Sequence, residues 1–228
     1  MKLLLVAATL PEIQPFVNHL QQSWTAPFPN VYKNEQHEIH LCITGVGIMA
    51  TTWALASALK QHTYDFALQA GVAGSFDRQI ALGQVVLVQS EQQGDLGAED
   101  HEQFLDIYDL LLAEKDIFPY TAGKLDNAIS DIPFPFNLLT VSGLTVNTVS
   151  GCVATITKRA EKFGCQLESM EGAPFHYVCL QEHLPFAQVR SISNYVTPRD
   201  KSQWKMKDAI IALNQWLIRL AKDHLETA

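Results

Sequence analysis

Lys2-Leu3-Leu4-Leu5-Val6-Ala7-Ala8-Thr9-Leu10-Pro11-Glu12 begins as an unbroken apolar run and ends on a polar junction. A strand with one wetted face alternates apolar and polar side chains, whereas a strand covered on both faces is apolar throughout. Residues 2–8 therefore read as an inner strand of a sheet with layers on either side. Thr9-Leu10-Pro11-Glu12 then supplies a cap, an early proline and a first-turn acid, which together mark a helix start. The run is apolar enough to suggest a leader core, but it is short and Pro11 and Glu12 follow at once. In open α/β sheets ligands bind beyond the carboxyl ends of the strands, and Glu12 stands at such an end. Thr9-x-x-Glu12 is also a capping box, in which the acid satisfies a backbone N–H. On spacing alone the cap is the stronger reading, and the residues leave a catalytic role open.

The same alternation continues outward. Residues 31–44 read as a hairpin turning near Asn34-Glu35-Gln36, with His37 and His40 at its edge or surface, too poorly aligned for a metal pair. Gly45-Val46-Gly47 leads into a helix over 48–59. A strand over 65–70 ends in Gly71-Val72-Ala73-Gly74-Ser75, and another over 83–89 gives way to an acidic loop over 91–100. Phe104, Leu105, Tyr108, Leu111 and Leu112 recur at helical spacing within 101–115. The sheet resumes at 138–141, leaving 142–147 as a loop, and a helix follows over 153–163. A strand over 165–169, a helix from Met170 to near His183, a strand over 185–193 and an amphipathic helix over about 202–225 complete the chain. Strands alternating with helices predict an α/β fold, a three-layer α/β/α sandwich with a central mixed sheet, built as one domain over 1–228.

Bulk properties narrow the partners. A formal charge of −8 over 228 residues, with scattered Lys and Arg, excludes a nucleic-acid surface and favours a small-molecule ligand. Cys42, Cys152, Cys165 and Cys179 lack CxxC spacing, so reduced, mostly buried thiols are expected and no metal site. No apolar run reaches the length of a bilayer span, and a cytoplasmic location with no membrane partner is the expectation.

Six junctions, taken together, carry a resemblance: Ala7-Ala8-Thr9-Leu10-Pro11-Glu12, Thr44-Gly45-Val46-Gly47, Gly71-Val72-Ala73-Gly74, Val141-Ser142-Gly143, Ser169-Met170-Glu171-Gly172-Ala173 and Arg190-Ser191-Ile192-Ser193-Asn194. In that order the chain resembles the purine nucleoside phosphorylase and methylthioadenosine/S-adenosylhomocysteine nucleosidase superfamily over nearly its whole length. The resemblance implies a nucleoside phosphorylase-like fold, a nucleoside substrate, no metal or organic cofactor, and a homodimer. It implies that Glu12 activates a water, that Arg190 lies near that water and Glu12, and that Glu171 binds the ribose hydroxyls with Met170 packed on the sugar. Ala73, Gly74, Val146 and Asn147 complete the implied substrate-binding set.

Two departures refine the chemistry. Phosphorylases of the superfamily carry an Arg just before the Gly-rich turn, to help hold a phosphate dianion; here Ala67-Leu68-Gln69-Ala70-Gly71 carries no cation, which favours water as nucleophile. Val72 stands where the nucleosidases usually place a Ser. At the position of Asn194 adenosine-type nucleosidases carry an Asp that donates a proton to N7. An amide both donates and accepts, so Asn194 suits a base with a carbonyl beside a ring N–H, hypoxanthine or guanine. Gly94-Asp95-Leu96-Gly97-Ala98-Glu99 and Ser193-Asn194-Tyr195-Val196, with Arg199, Asp200 and Trp204, resemble the branch that hydrolyses such a nucleoside. Its substrate carries a carboxyphenyl tail, for which Phe104, Arg199 and Lys201 are candidates. A methylthioadenosine-type nucleosidase, a 6-oxopurine phosphorylase and a silent nucleoside-binding protein are the alternatives.

Overall fold

The computed structural model describes residues 1–127 and 133–226. The elements are β1 (Lys2–Ala7), α1 (Leu10–Ser23), β2 (Thr25–Phe28), β3 (Val31–Lys33), β4 (Glu38–Ile43), α2 (Ile48–Gln61), β5 (Phe66–Ser75), β6 (Val85–Gln93), β7 (Gly97–Asp100), β8 (Gln103–Asp106), β9 (Leu125–Asp126), β10 (Leu139–Thr145), α3 (Val153–Phe163), β11 (Leu167–Ser169), α4 (Gly172–Gln181), β12 (Phe186–Tyr195) and α5 (Met206–His224).

The main sheet runs β11-β10-β6-β12-β5-β1-β4-β3-β2 and is mixed. Parallel pairs join β1 to β4 and β5, β12 to β5, and β10 to β6 and β11; β12 meets β6 antiparallel. An antiparallel contact of β11 with β5 brings one end of the sheet back on itself, so β11, β10, β6, β12 and β5 form a closed ring. Residues 2–8 behave as read. Leu3, Leu5 and Ala7 pack beneath α1 and α5 with Ile13, Phe16, Leu213 and Leu217, while Leu4 and Val6 pack beneath α2 and α4 with Leu55, Phe175 and Cys179. Each such buried aliphatic contributes about 1.5–3 kcal/mol relative to exposure, so both helical layers are fastened to the strand that presents Glu12.

Several expectations are corrected. The strand over 65–70 does not end at Gly71: β5 continues through Ser75. Likewise β10 continues through Thr145 rather than ending at Val141. Residues 91–93 belong to β6, and 97–100 pair with 103–106 as a hairpin, so the acidic stretch is not one solvated loop. No helix forms at 101–115, where β8 and turns take the chain; the apolar repeat there reflects Leu111 and Leu112 left exposed. β2 and β9 went unseen, being short. His40 is buried, not surface, bonded to Glu38 and to the Tyr64 hydroxyl. All four cysteines are free, but only Cys165 and Cys179 are buried and Cys152 is exposed.

Candidate active site

The carboxyl ends of β1, β4, β5, β10, β11 and β12 bring the junction residues together. The two carboxylate oxygens of Glu12 have different surroundings. Oε2 accepts from Thr9 N at 2.9 Å and from Thr9 Oγ1 at 2.8 Å. Oε1 accepts from Val72 N at 3.2 Å and lies over Gly71 beside the Arg190 guanidinium. One oxygen is thus the cap and the other faces the strand ends, where Gly71 is required because a Cβ would strike Arg190.

The turn that carries Glu12 is braced from α5. Pro15 lies inside α1, where proline removes a ladder bond and crowds the preceding turn. Asn214 inserts at that point: Phe16 N donates to Asn214 Oδ1 at 2.9 Å, and Asn214 Nδ2 donates to Glu12 O at 2.8 Å. These two backbone groups would otherwise pair with each other across one helical turn. Asn214→Leu is expected to cost about 1–3 kcal/mol, the penalty of leaving buried polar groups unpaired, seen as a lower urea midpoint at unchanged slope. An unmoved midpoint would mean that α1 closes its own ladder and that the brace contributes nothing.

Arg190 is 1% exposed. Its Nη2 donates to Gln69 Oε1 at 3.0 Å, and Nη1 lies 3.7 Å from Glu171 Oε2. Arg190 thus lies near Glu12 over Gly71, while its ion pair is with Glu171. Gln69, whose Nε2 reaches Glu171 O at 3.2 Å, thus bonds the Arg190 guanidinium and the Glu171 backbone together. Glu171 also accepts from Gly47 N at 3.1 Å, which gives the Gly45-Val46-Gly47 loop its place. Burial raises the Glu171 acid above its ordinary range, with Arg190 and the Gly47 N–H opposing and Glu12 reinforcing the rise.

Toward its carboxyl end, β12 carries a bulge. Its register with β5 passes from Ile192↔Ala73 to Asn194↔Gly74, so Ser193 is the extra residue, and bulges re-aim side chains. Asn194 Nδ2 donates to Tyr195 O at 3.0 Å, and Ser193 Oγ donates to Asn194 Oδ1 at 2.8 Å. The Tyr195 carbonyl only accepts, which fixes the amide nitrogen on that side. One N–H and one oxygen lone pair are left over. Gly74 leaves room for the amide, since its Cβ would fall 3.2 Å from Nδ2. A cavity of about 50 Å³ opens here, lined by Gly74, Val149, Ser150, Asn194, Val196 and Trp204.

Asn147 sits on a loop that Asp95 holds through Asn147 N at 2.6 Å and Thr148 N at 3.1 Å. Arg159 ties Asp95 to Glu168, at 3.7 and 3.2 Å. Val146 and Ala73 are buried in the core, while Met170 is half-buried next to Glu171. Phe104 lines a separate cavity of about 280 Å³ between β7, β8 and α3, with Phe163, Lys158 and Arg159. Arg199 lies over Trp204 beside the smaller cavity and Lys201 is exposed, so the three tail candidates are not brought together. Among the described residues no cluster of His, Cys, Asp and Glu could hold a metal ion. Gln69, Gln188 and Asn214 were missed; the available signal was a polar residue inside an otherwise buried strand or helix face.

The strand ends of the mixed sheet thus present two acids, an inward-facing arginine and an amide together. The model of the phosphorylase superfamily matches residues 2–223, and the chain belongs to that superfamily. Within it the chain falls in the futalosine hydrolase family: it is 32% identical over 183 residues to the futalosine hydrolase of Thermus thermophilus, covering 78% of each chain. It is also 30% identical over 165 residues to that of Streptomyces coelicolor, covering 72% of this chain and 68% of the relative. The futalosine hydrolase of Helicobacter pylori superposes with a TM-score of 0.76 at 15% identity, over 98% of both chains. A 5'-methylthioadenosine/S-adenosylhomocysteine nucleosidase of the same organism also superposes with a TM-score of 0.76, at 16% identity over 98% of both chains, so these two likenesses speak to the fold alone.

Proposed function

We propose that the chain hydrolyses the N-glycosidic bond of futalosine, releasing hypoxanthine and dehypoxanthine futalosine, a step toward menaquinone. The observation that carries this reading is Asn194, held so that one N–H and one carbonyl lone pair remain for a base edge: they match the 6-oxo oxygen and the N7–H of departing hypoxanthine, whereas an amide has no acidic proton to transfer to the N7 of departing adenine. Glu12 Oε1 takes a proton from water while Thr9 holds Oε2. The C1' centre passes through an oxocarbenium-like state. Glu171 binds the ribose hydroxyls, with Arg190 and Gly47 N holding its carboxylate, and Met170 packs on the sugar. Asn194 steadies the leaving base. Phosphate is disfavoured because the Arg190 guanidinium is bonded to Gln69 and paired with Glu171. The protein's own residues supply every role in this scheme.

The same reading makes the chain a cytoplasmic homodimer. No helix among the described residues is long and apolar enough to cross a membrane. Val46, Met49 and Trp53 are 55, 85 and 76% exposed beside the loop that bonds Glu171, an apolar surface suited to a second copy. The test is chromatography of purified enzyme with futalosine, inosine and methylthioadenosine in phosphate-free buffer, after sizing of the same preparation. Hypoxanthine from futalosine alone is expected. Adenine release, or turnover only on adding phosphate, overturns the reading.

A further inference from the structure

Glu91 is a buried acid that the scheme above does not use. β6 turns it inward by a second bulge: the register with β10 passes from Val141↔Val88 to Ser142↔Ser90, leaving Gln89 extra and reversing the alternation. The Glu91 carboxyl lies against the α-carbons of Gly143 and Gly172, where any Cβ would collide with it. Gly172 opens α4 directly after Glu171. Thr145 Oγ1 donates to Glu91 Oε2 at 2.9 Å and accepts the Ala173 N–H at 2.7 Å. The acid, one threonine and the first turn of α4 thus form one chain. On the other side Gln188 Nε2 reaches Glu91 Oε1 at 2.9 Å.

Beyond Gln188 the hydrogen bonds do not close. His176 Nδ1 meets the Leu125 carbonyl at 3.0 Å; a carbonyl only accepts, so Nδ1 carries the ring proton and Nε2 of a neutral imidazole is an acceptor. Nε2 is buried without a partner, and so is Oε1 of Gln188, the residue that the ring faces. Two buried acceptors meet with no donor between them, an arrangement that ought to be costly. The two ends of an amide are alike in shape and are told apart by their partners. Turning Gln188 over and placing one proton on Glu91 satisfies every atom: Glu91 O–H donates to Gln188 Oε1, Gln188 Nε2 donates to His176 Nε2, and Thr145 still donates to the other Glu91 oxygen. The alternative, a His176 imidazolium with a Glu91 carboxylate, would bury two charges at 0 and 1% exposure. Burial lowers His176 to about 4 and raises Glu91 to about 7, in favour of the neutral pair.

We propose that Glu91 serves as a neutral carboxylic acid, locked by Gln188 and His176, that positions the α4 turn bearing Glu171 and leaves the Arg190 charge to Glu171. The charged and titratable groups around it are Arg190 on β12, Glu171 at the α4 turn, His176 on α4 and Cys165 before β11. An ionised Glu91 would compete with Glu171 for Arg190 and repel it. The catalytic part of the proposal rests on Glu171 being the ribose acid; the protonation state does not.

Glu91→Gln and Glu91→Leu test it. The amide mimics the neutral acid, so Glu91→Gln is expected to keep kcat/KM within about threefold of the parent near pH 6 and to lose the parent's fall in activity above pH of about 7. Glu91→Leu, lacking both hydrogen bonds, is expected to lose roughly tenfold or more. The sign for stability follows from a folded-state pKa raised from 4.5 to about 7: the folded form binds more protons, so stability falls as pH rises across that window. Glu91→Gln should therefore melt higher than the parent near pH 8 and not near pH 4. Difference infrared spectroscopy should show a protonated carboxylic C=O band near pH 6 that Glu91→Gln removes, a readout independent of the substrate. Activity of Glu91→Gln as poor as that of Glu91→Leu, or no such band, overturns the proposal.

Discussion

Glu12→Gln is expected to lower kcat for futalosine by about 10²–10⁴-fold, the contribution of a positioned general base, while substrate affinity stays within a few-fold of the parent. The surroundings of the carboxylate separate this loss from unfolding. Thr9 N, Thr9 Oγ1 and Val72 N all donate to it, a donor set made for an acceptor-only group. A glutamine keeps a carbonyl for the Thr9 cap, and Glu and Gln both serve at that position of a capping box. It cannot take a proton from water, and with its carbonyl on the Thr9 cap its NH2 faces the Val72 N–H. Single-turnover release of hypoxanthine, beside calorimetric binding of futalosine, measures the two effects separately. A kcat within about threefold of the parent would reduce Glu12 to a helix cap.

The sequence made the fold legible where burial writes a plain pattern. The run Leu3 to Ala7 is apolar because both of its faces are covered, and its two faces divide between the α1/α5 and α2/α4 layers. Pattern fails where strands bulge. The extra residues Gln89 and Ser193 each shift the alternation by one, so Glu91 looked like a loop acid and Asn194 like a residue past the end of its strand. Glycines misled for a related reason. Gly71 read as the end of its strand and Gly172 as part of a helix start, yet each leaves room for a buried side chain, Arg190 over the first and Glu91 against the second. Such cradles are written in pairs of residues far apart in the chain, here 71 with 190 and 172 with 91, which local spacing does not register. The junction residues were marked by polar groups that follow apolar runs, and their proposed roles come from the resemblance alone. Their partners Gln69, Gln188 and Asn214 act from inside elements, and only the polar atom in a buried position betrays them.

Asn194→Asp is expected to shift the ratio of kcat/KM for futalosine over methylthioadenosine toward the 6-aminopurine by roughly tenfold to a hundredfold, the discrimination available from one buried polar group left without its partner. The local bonds define how. The side of Asn194 that meets Tyr195 O at 3.0 Å must be a donor, so an ionised Asp would set two oxygens against each other there. The favourable state of the variant is a protonated acid. Its single O–H can serve Tyr195 O or the N7 of a departing 6-aminopurine. The N–H that Asn194 offered to the 6-oxo oxygen is then gone, while the Ser193 hydroxyl can still donate to the remaining oxygen. Hypoxanthine therefore loses a donor, and adenine meets an acidic proton that the amide could not transfer to N7. Competition of the two nucleosides in one phosphate-free reaction, followed by chromatographic quantitation of both bases, gives the ratio directly. A ratio unmoved by the substitution would place base selection outside Asn194, leaving the backbone of Gly74 and the Val149–Ser150 side of the cavity to make the choice.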